Sequence, residues 1–403
     1  MPTAPARAIS AWMQDADAQP VFTVEGHRLT LLDTGPRRLD ALLALIDGAR
    51  VSLRILYYIY ADDATGRRVN AALAAAARRG VRVMLIVDGF GSEGDAFFEP
   101  LREAGVSVCR FSPRFGRRYL LRNHQKLALA DAETNDGHQA RIIIGGFNIE
   151  DDYFGTPKEQ AWRDLGLLLE GPAAARMAGY FDALEEGIRT GGRVRRLNKA
   201  LARWSERDGR LRWLIGGPTR HLSPWARAIR ADMRHARRID IIAGYFTPSP
   251  TVLRRLDRAG RRRAEVRVVT AARSDNNVTI AASRFTYAGL LRKGVRIWEY
   301  GATKLHTKLY VVDDATWVGS ANFDMRSLFI NMELMLRIED APFAAHVRGY
   351  VDGEIAQSNE VTVAAYRSAT GWWQRTKQFV AYLLTAVADP AISRGLNWGI
   401  DEE

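Results

Sequence analysis

The sequence is short of cysteine, of long apolar runs and of acid relative to base, and each shortage removes a class of explanation. A single cysteine, Cys109, excludes an internal disulfide and a thiolate metal cluster, and it fits a reducing compartment. No window approaches 18 consecutive apolar residues, so no spanning helix is expected. Residues 1–17 mix polar residues with proline and hold no continuous apolar core, so they do not read as a signal peptide. Acid is outnumbered, with 46 Asp and Glu against 58 Lys and Arg and a formal charge of +12. That excess implies an anionic partner, either nucleic acid or an anionic lipid surface. Composition alone does not choose between them.

What is present is enough for a large folded protein. The 403 residues, 47% apolar and 26% charged, can bury one large core or two ordinary ones. An internal comparison favours two. Ala236-Arg-Arg-Ile-Asp-Ile-Ile-Ala-Gly-Tyr245 aligns without gaps on Ala49-Arg-Val-Ser-Leu-Arg-Ile-Leu-Tyr-Tyr58. Val266-Arg-Val268 matches Val81-Arg-Val83, and Leu291-Arg-Lys-Gly-Val295 is like Leu101-Arg-Glu-Ala-Gly-Val106. Such self-similarity marks a duplicated unit. Strand-like runs at 51–60, 81–87 and 106–111 alternate with helical runs at 66–79 and 96–104. The expected fold is therefore α/β, two duplicated domains with mixed, mainly parallel sheets flanked by helices.

The strongest repeat carries chemistry. His124-Gln-Lys-Leu-Ala-Leu-Ala-Asp131 and His306-Thr-Lys-Leu-Tyr-Val-Val-Asp313 share the spacing His-x-Lys-x4-Asp. Each is followed by a glycine-led turn ending in asparagine, Gly145-Gly146-Phe147-Asn148 and Gly319-Ser320-Ala321-Asn322. Residues two apart on a strand share a face, so His124 projects beside Lys126 and His306 beside Lys308. A neutral imidazole next to a fixed cation suits attack on a phosphorus anion. Asp131 and Asp313 fall at odd spacing from their histidines and read as structural anchors. Asn148 and Asn322, on turns where backbone comes close, could donate to phosphate oxygens. A lysine beside each histidine would repel a dication, so no metal is expected. Two complete sets in one chain imply one shared site, made by a pseudo-twofold pairing of the halves.

At these residues the chain resembles the phospholipase D superfamily, and within it the bacterial cardiolipin synthases. The resemblance covers residues 39–340. It adds Tyr58-Ile-Tyr-Ala-Asp-Asp-Ala-Thr-Gly66, Arg79-Gly-Val-Arg-Val83, Asp88-Gly-Phe-Gly-Ser92, Trp162-Arg-Asp164, Asn322-Phe-Asp-Met-Arg-Ser327 and Asn331-Met-Glu333. Many cardiolipin synthases carry two N-terminal membrane helices, which this sequence does not show, so peripheral attachment to the inner membrane from the cytoplasm is expected.

The resemblance implies the chemistry and the roles. His124, Lys126, Asp131, His306, Lys308 and Asp313 form the catalytic motifs, Asn148 and Asn322 bind substrate phosphate, and Asp164 and Glu333 orient the imidazoles. One histidine would form a phosphohistidine, with His124 preferred, while the other protonates the departing alcohol. Which carboxylate serves which ring stays open. No cofactor is implied. The reaction implied is transfer of a phosphatidyl group between two phosphatidylglycerol molecules, giving cardiolipin and glycerol. A phospholipid hydrolase of the same fold is the alternative, and a nuclease a more distant one, so the anionic partner is read as phospholipid rather than nucleic acid.

Outside the motifs the chain divides into an N-terminal extension, 1–38, a first domain, 39–190, a basic linker, 191–217, a second domain, 218–358, and an aromatic and basic tail, 359–403. A short strand is possible at 20–24 and a helix at 39–49. The linker holds eight Lys or Arg between Arg193 and Arg212, and reads either as a solvated connection or as a membrane-facing patch. The run 110–126 holds six and no acid, with Phe111, Phe115 and Tyr119 interleaved, and leads straight into His124 as a substrate or interface contact. His138, in a polar insertion after the first motif, reads as solvated. The segment 372–388 reads equally as a helix lying among lipid headgroups and as a helix packed on the second domain.

Overall fold

The duplication in sequence becomes a duplication of sheets. The computed structural model describes residues 19–112, 121–133, 139–190, 202–219 and 222–388. His138, residues 113–120 of the first basic run, 191–201 of the linker and 389–403 of the tail lie outside the described residues. The first sheet comprises β1 (Val21–Val24), β2 (His27–Leu32), β3 (Ser52–Tyr57), β4 (Arg82–Asp88), β5 (Ser107–Phe111), β6 (Leu127–Ala130), β7 (Arg141–Gly145) and β8 (Gly166–Glu170), in the order β1-β2-β8-β7-β6-β3-β4-β5. The second is built from β9 (Leu211–Gly216), β10 (Arg238–Ala243), β12 (Glu265–Ala271), β13 (Arg296–Tyr300), β14 (Lys308–Val312), β15 (Ala315–Gly319), β17 (Glu333–Glu339) and β18 (Ser358–Val361), in the order β18-β13-β12-β10-β14-β15-β17-β9. Within the second half, β11 (Phe246–Thr247) and β16 (Phe323–Asp324) form a separate two-stranded parallel pair.

Walked from one edge, the two sheets match strand for strand. The run β5-β4-β3-β6-β7-β8-β2 superposes in order on β13-β12-β10-β14-β15-β17-β9. Two boundaries expected from sequence therefore move. β2 lies in the supposed extension and β9 in the supposed linker, yet β2 pairs with β8 and β9 pairs with the counterpart of β8, β17. The duplicated unit begins with that strand.

The sheets are mixed, as expected, but parallel pairing is confined to β3-β4-β5 and β10-β12-β13. The motif strands β6 and β14 pair antiparallel on both sides, which departs from the mainly parallel sheets expected from sequence. In the second half the cause is local. Asp313 and Asp314 alone connect β14 to β15, and Asp313 sits at φ 47, the left-handed conformation that a two-residue hairpin turn demands. So short a connection returns the chain beside itself.

Each sheet buries both faces. One face of the first packs on α1 (Gly35–Asp47), α2 (Ala64–Arg78) and α3 (Asp95–Glu103) through Leu42, Val69, Leu73 and Phe98. The helix expected at 39–49 starts earlier because Thr34 caps it and proline occupies its first turn. The other faces of both sheets meet in one core that includes Leu127, Leu167, Met177, Trp213, Leu309, Leu334 and Val347. The helices α4 (Pro172–Arg189) and Ala341–Ala356 contribute to that shared layer. Burial without loss of pairing is kept even for Arg54 in β3, whose guanidinium bonds Asp182 of α4 at 2.8 Å and Glu133 at 2.7 Å. A joint core fixes how the halves sit, and so fixes what meets at their seam.

Candidate active site

Each motif histidine is held by backbone bonds to the opposite half. His124 N–H donates to the Met332 carbonyl at 3.0 Å, and Met332 N–H donates to the Arg122 carbonyl at 3.0 Å. The counterpart is the same exchange reversed: His306 N–H donates to the Arg163 carbonyl at 2.8 Å, and Arg163 N–H to the Lys304 carbonyl at 2.8 Å. Because Met332 precedes Glu333 and Arg163 precedes Asp164, these bridges deliver one carboxylate behind each ring. His124 Nδ1 lies 3.1 Å from Glu333 Oε2, and His306 Nδ1 lies 2.7 Å from Asp164 Oδ2. The pairing left open by the sequence is thus crossed, each half supplying the carboxylate for the other's histidine. With Nδ1 engaged, Nε2 is the nitrogen presented to a substrate.

The lysines complete the crossing. Lys126 Nζ donates to the His124 carbonyl at 2.8 Å and Lys308 Nζ to the His306 carbonyl. A side chain at Gly146 would meet the Asp164 carboxylate at 2.5 Å and the Lys308 chain at 2.8 Å, so the glycine of the first turn opens room for the second half's lysine. At the equivalent place in the second turn, Ser320 donates to Glu333 Oε2 at 2.5 Å, and Ser327 donates to Oε1 at 2.8 Å.

Electrostatically the site is a buried cationic cluster. Burial first, then Lys308, pushes His306 down to about 3 against the pull of Asp164. Burial, followed by Lys126, Lys308 and Arg122, holds His124 well below its ordinary value. Both rings are therefore neutral in the empty site. Burial pushes Lys308 down to about 8 and Lys126 well below its usual range, with Lys308 adding to the shift of Lys126. The carboxylates diverge. Burial pushes Glu333 up to about 7 in spite of Lys126 and the two serine hydroxyls. For Asp164 burial acts in the same direction, but Lys308, His306 and Arg38 outweigh it and keep the carboxylate ionised. Arg38 bonds the Asp164 carbonyl oxygen, whereas the Glu333 side carries a further acid, half-buried Asp324, pushed up to about 6 by desolvation.

The remaining residues of the two motifs go elsewhere. Asp131 and Asp313, counted with the catalytic set, close the far ends of β6 and β14. Asp131 Oδ1 accepts from the backbone N–H of Arg50 at 3.0 Å and Val51 at 2.7 Å, and Asp313 Oδ1 from those of Arg237 and Arg238 at 2.9 Å. They lie outside the site because an ordered strand separates them from the histidines. Asn148 accepts from Ile59 N–H at 3.2 Å and donates to the Tyr153 hydroxyl at 3.0 Å, while Asn322 Oδ1 is buried without a hydrogen-bond partner among the described residues.

Aromatic walls were not foreseen. Tyr58 stands 5.1 Å from the His124 ring, and Tyr245 5.9 Å from His306, with Tyr153 and Trp162 each at 5.2 Å from His306. Tyr58 and Tyr245 end the two aligned repeats, which was the available signal. Gln125, between histidine and lysine, donates to the Glu333 carbonyl at 3.0 Å and accepts from Tyr180 at 2.9 Å, locking the first motif to the second half.

The family described as "Cardiolipin synthase, PLD-like domain" matches residues 42–184 and 229–354, one segment in each half. The chain is 29% identical over 369 residues to cardiolipin synthase B of Escherichia coli K12, covering 89% of this chain and 87% of that protein. To cardiolipin synthase A of Pseudomonas aeruginosa PAO1 it is 30% identical over 356 residues, 86% of this chain and 70% of the other. Among solved structures, the phosphatidylserine synthase of Haemophilus influenzae shares the fold with a TM-score of 0.71 over 93% of this chain and 97% of that one, at 14% identity. Two family-matched segments, each contributing one histidine, one lysine and the other's carboxylate, place the chain in the cardiolipin synthase family of phospholipase D-like proteins.

Proposed function

We propose that the protein transfers a phosphatidyl group between phospholipids, converting two molecules of phosphatidylglycerol into cardiolipin and glycerol through a phosphohistidine. The observation that carries this reading is the crossed pair of imidazoles, each backed by a carboxylate of the opposite half, with both lysines acting on both rings. One Nε2 attacks phosphorus and the P–O bond to the glycerol headgroup breaks. The other ring gives that oxygen its proton. A hydroxyl of the second phosphatidylglycerol then surrenders a proton to the same ring and attacks phosphorus, and the P–N bond breaks. Lys126 and Lys308 carry the positive charge that a dianionic transition state needs, in a dry setting where it counts for most. Asn322 offers its side-chain amide N–H groups to the phosphate oxygens, and Asn148 holds the wall beside them.

The alternative second step uses water and yields phosphatidic acid. Labelled phosphatidylglycerol with the purified protein, products resolved by mass, separates the two. Cardiolipin with equimolar glycerol supports transfer; phosphatidic acid alone supports hydrolysis, and cleaved DNA with untouched lipid a nuclease. The setting proposed is the cytoplasmic face of the inner membrane, held peripherally. No helix among the described residues is long and apolar enough to cross a membrane.

A further inference from the structure

The helix Trp372–Leu383 has two faces, and the fold uses only one. Gln378, Ala381 and Tyr382 are buried. They pack on the helix Asn277–Leu291, with the Tyr382 ring 5.0 Å from Phe285 and the Gln378 amide oxygen accepting from Tyr366 at 2.8 Å. The opposite face is apolar and open to solvent. Six of the eleven large apolar side chains exposed among the described residues lie on it or just beyond its end: Trp372, Trp373, Phe379, Val380, Leu383 and Leu384. So dense a concentration on one short element is a patch rather than scatter.

Their angular placement is specific. At about 100° per residue these six fall within an arc of about 140°, bordered on one side by Arg375 and on the other by Lys377. An apolar arc headed by tryptophan and edged by cations matches a helix lying in a bilayer interface, where aromatic rings sit at headgroup depth and basic side chains reach the phosphates. The packed reading of the segment from sequence holds on one face, and the other face is left open to solvent.

Two further features give the surface its sign. Arg375 also lines a cleft with Arg292 and Arg367, between this helix and the end of Asn277–Leu291. In addition, the helix Pro250–Arg261 and its neighbour crowd Arg230, Arg234, Arg258 and Arg262 around Arg255. Leu253 of that helix packs in the same small cluster as Ala381, Tyr382 and Ala386, which ties the helix to the buried face of Trp372–Leu383. Like charges so placed favour a polyanionic partner. The surface is also tied to the chemistry. The Tyr382 hydroxyl donates to the Pro248 carbonyl at 3.2 Å, three residues past Tyr245, whose ring stands 5.9 Å from His306.

We propose that the exposed face of Trp372–Leu383, together with the adjoining arginines, docks the protein on an anionic phospholipid bilayer and so presents the seam between the halves to lipid. The inference rests on the proposed phosphatidyl transfer for its purpose, but its evidence is the surface alone. The test uses the full chain and vesicles of phosphatidylcholine with and without one third phosphatidylglycerol. The wild type should sediment with the anionic vesicles. Trp372→Ser/Trp373→Ser/Phe379→Ser should lose that binding by at least tenfold, and Arg375→Gln/Lys377→Gln should flatten its salt dependence. All five positions are exposed, and none belongs to the catalytic set. Turnover of a short-chain phosphatidylglycerol dissolved as monomers should therefore be unchanged in both variants, while turnover of vesicle lipid falls in the first.

Equal sedimentation of the wild type and the serine variant would overturn the proposal. So would a wild type that stays in the supernatant, one that binds DNA but not vesicles, or a dimer that the serine substitutions dissociate. Failure of vesicle binding with intact monomer turnover removes only the docking surface. Vesicle binding without any lipid turnover removes only the proposed reaction.

Discussion

The His306 ring donates its Nδ1 proton to Asp164 Oδ2 across 2.7 Å, and the two residues come from opposite halves of the chain. A carboxylate so placed fixes the tautomer and the tilt of the ring without touching phosphorus. Asp164→Asn keeps the shape but removes the acceptor that specifies this tautomer, and should lower kcat by about 100-fold or more with little change in KM. Steady-state kinetics with a thermal melt checks it. A variant that retains near-normal kcat would show that the ring needs no partner.

The two carboxylates are unequal, which bears on which ring attacks. Asp164 is ionised at neutral pH with Arg38 nearby, whereas burial raises Glu333 to about 7. A ring backed by an ionised acceptor is ready as a nucleophile. One backed by a protonated carboxyl can pass a proton through to its Nε2. We therefore expect the phosphohistidine on His306, with His124 as the acid, reversing the preference from sequence. Acid-free quench during turnover followed by peptide mass mapping decides it, and a phosphoryl group on His124 would refute it.

The same inequality sets the pH profile. kcat/KM reports the free enzyme, in which both imidazoles are already neutral because burial and the lysines lower them, His306 to about 3. Lowering the pH from 7 to 5 should thus cost little, since no ring becomes protonated there. Raising it removes the Glu333 proton near 7 and the Lys308 charge near 8, and the rate should fall through that window. An acid limb centred on the ordinary histidine value would contradict the charge states described here.

Much of this site was legible in the sequence because its two halves spell the same motif, and strand parity alone puts His124 beside Lys126 and His306 beside Lys308. The crossing of Asp164 and Glu333 was not, because it follows from how two sheets dock through a shared core. Nor was the start of the duplicated unit. β9 starts just after Arg210, carries Arg212 and sits in a basic surround that reads as linker, although Leu211, Trp213 and Ile215 are buried in the joint core. The antiparallel pairing of β14 with β15 follows from two residues, Asp313 and Asp314, whose turn reverses the chain.

Two buried lysines whose charge burial disfavours make the empty site an anion receptor, because a bound anion favours that charge. Inorganic phosphate should bind there and raise the melting temperature by a few degrees at millimolar concentration, as any ligand specific to the folded state does. Lys126→Met or Lys308→Met should abolish that shift. A shift that survives in both variants would place the phosphate elsewhere.

Asp131 and Asp313 provide the contrasting case, motif residues whose work is mechanical. Each carboxylate gathers backbone N–H groups at the start of the neighbouring strand, Asp131 those of Arg50 and Val51, Asp313 those of Arg237 and Arg238. Removing the acceptor leaves those donors competing for water in a half-buried corner, a loss of about 2–3 kcal/mol. Alanine also sits poorly at the positive φ of 54 and 47 that these residues adopt, whereas asparagine tolerates it and keeps an oxygen. Asp313→Ala should therefore melt lower than Asp313→Asn, and both should keep kcat per folded molecule near wild type. Denaturant unfolding beside kcat on the soluble fraction tests the pair, and a collapse of kcat at unchanged stability would return these aspartates to the chemistry.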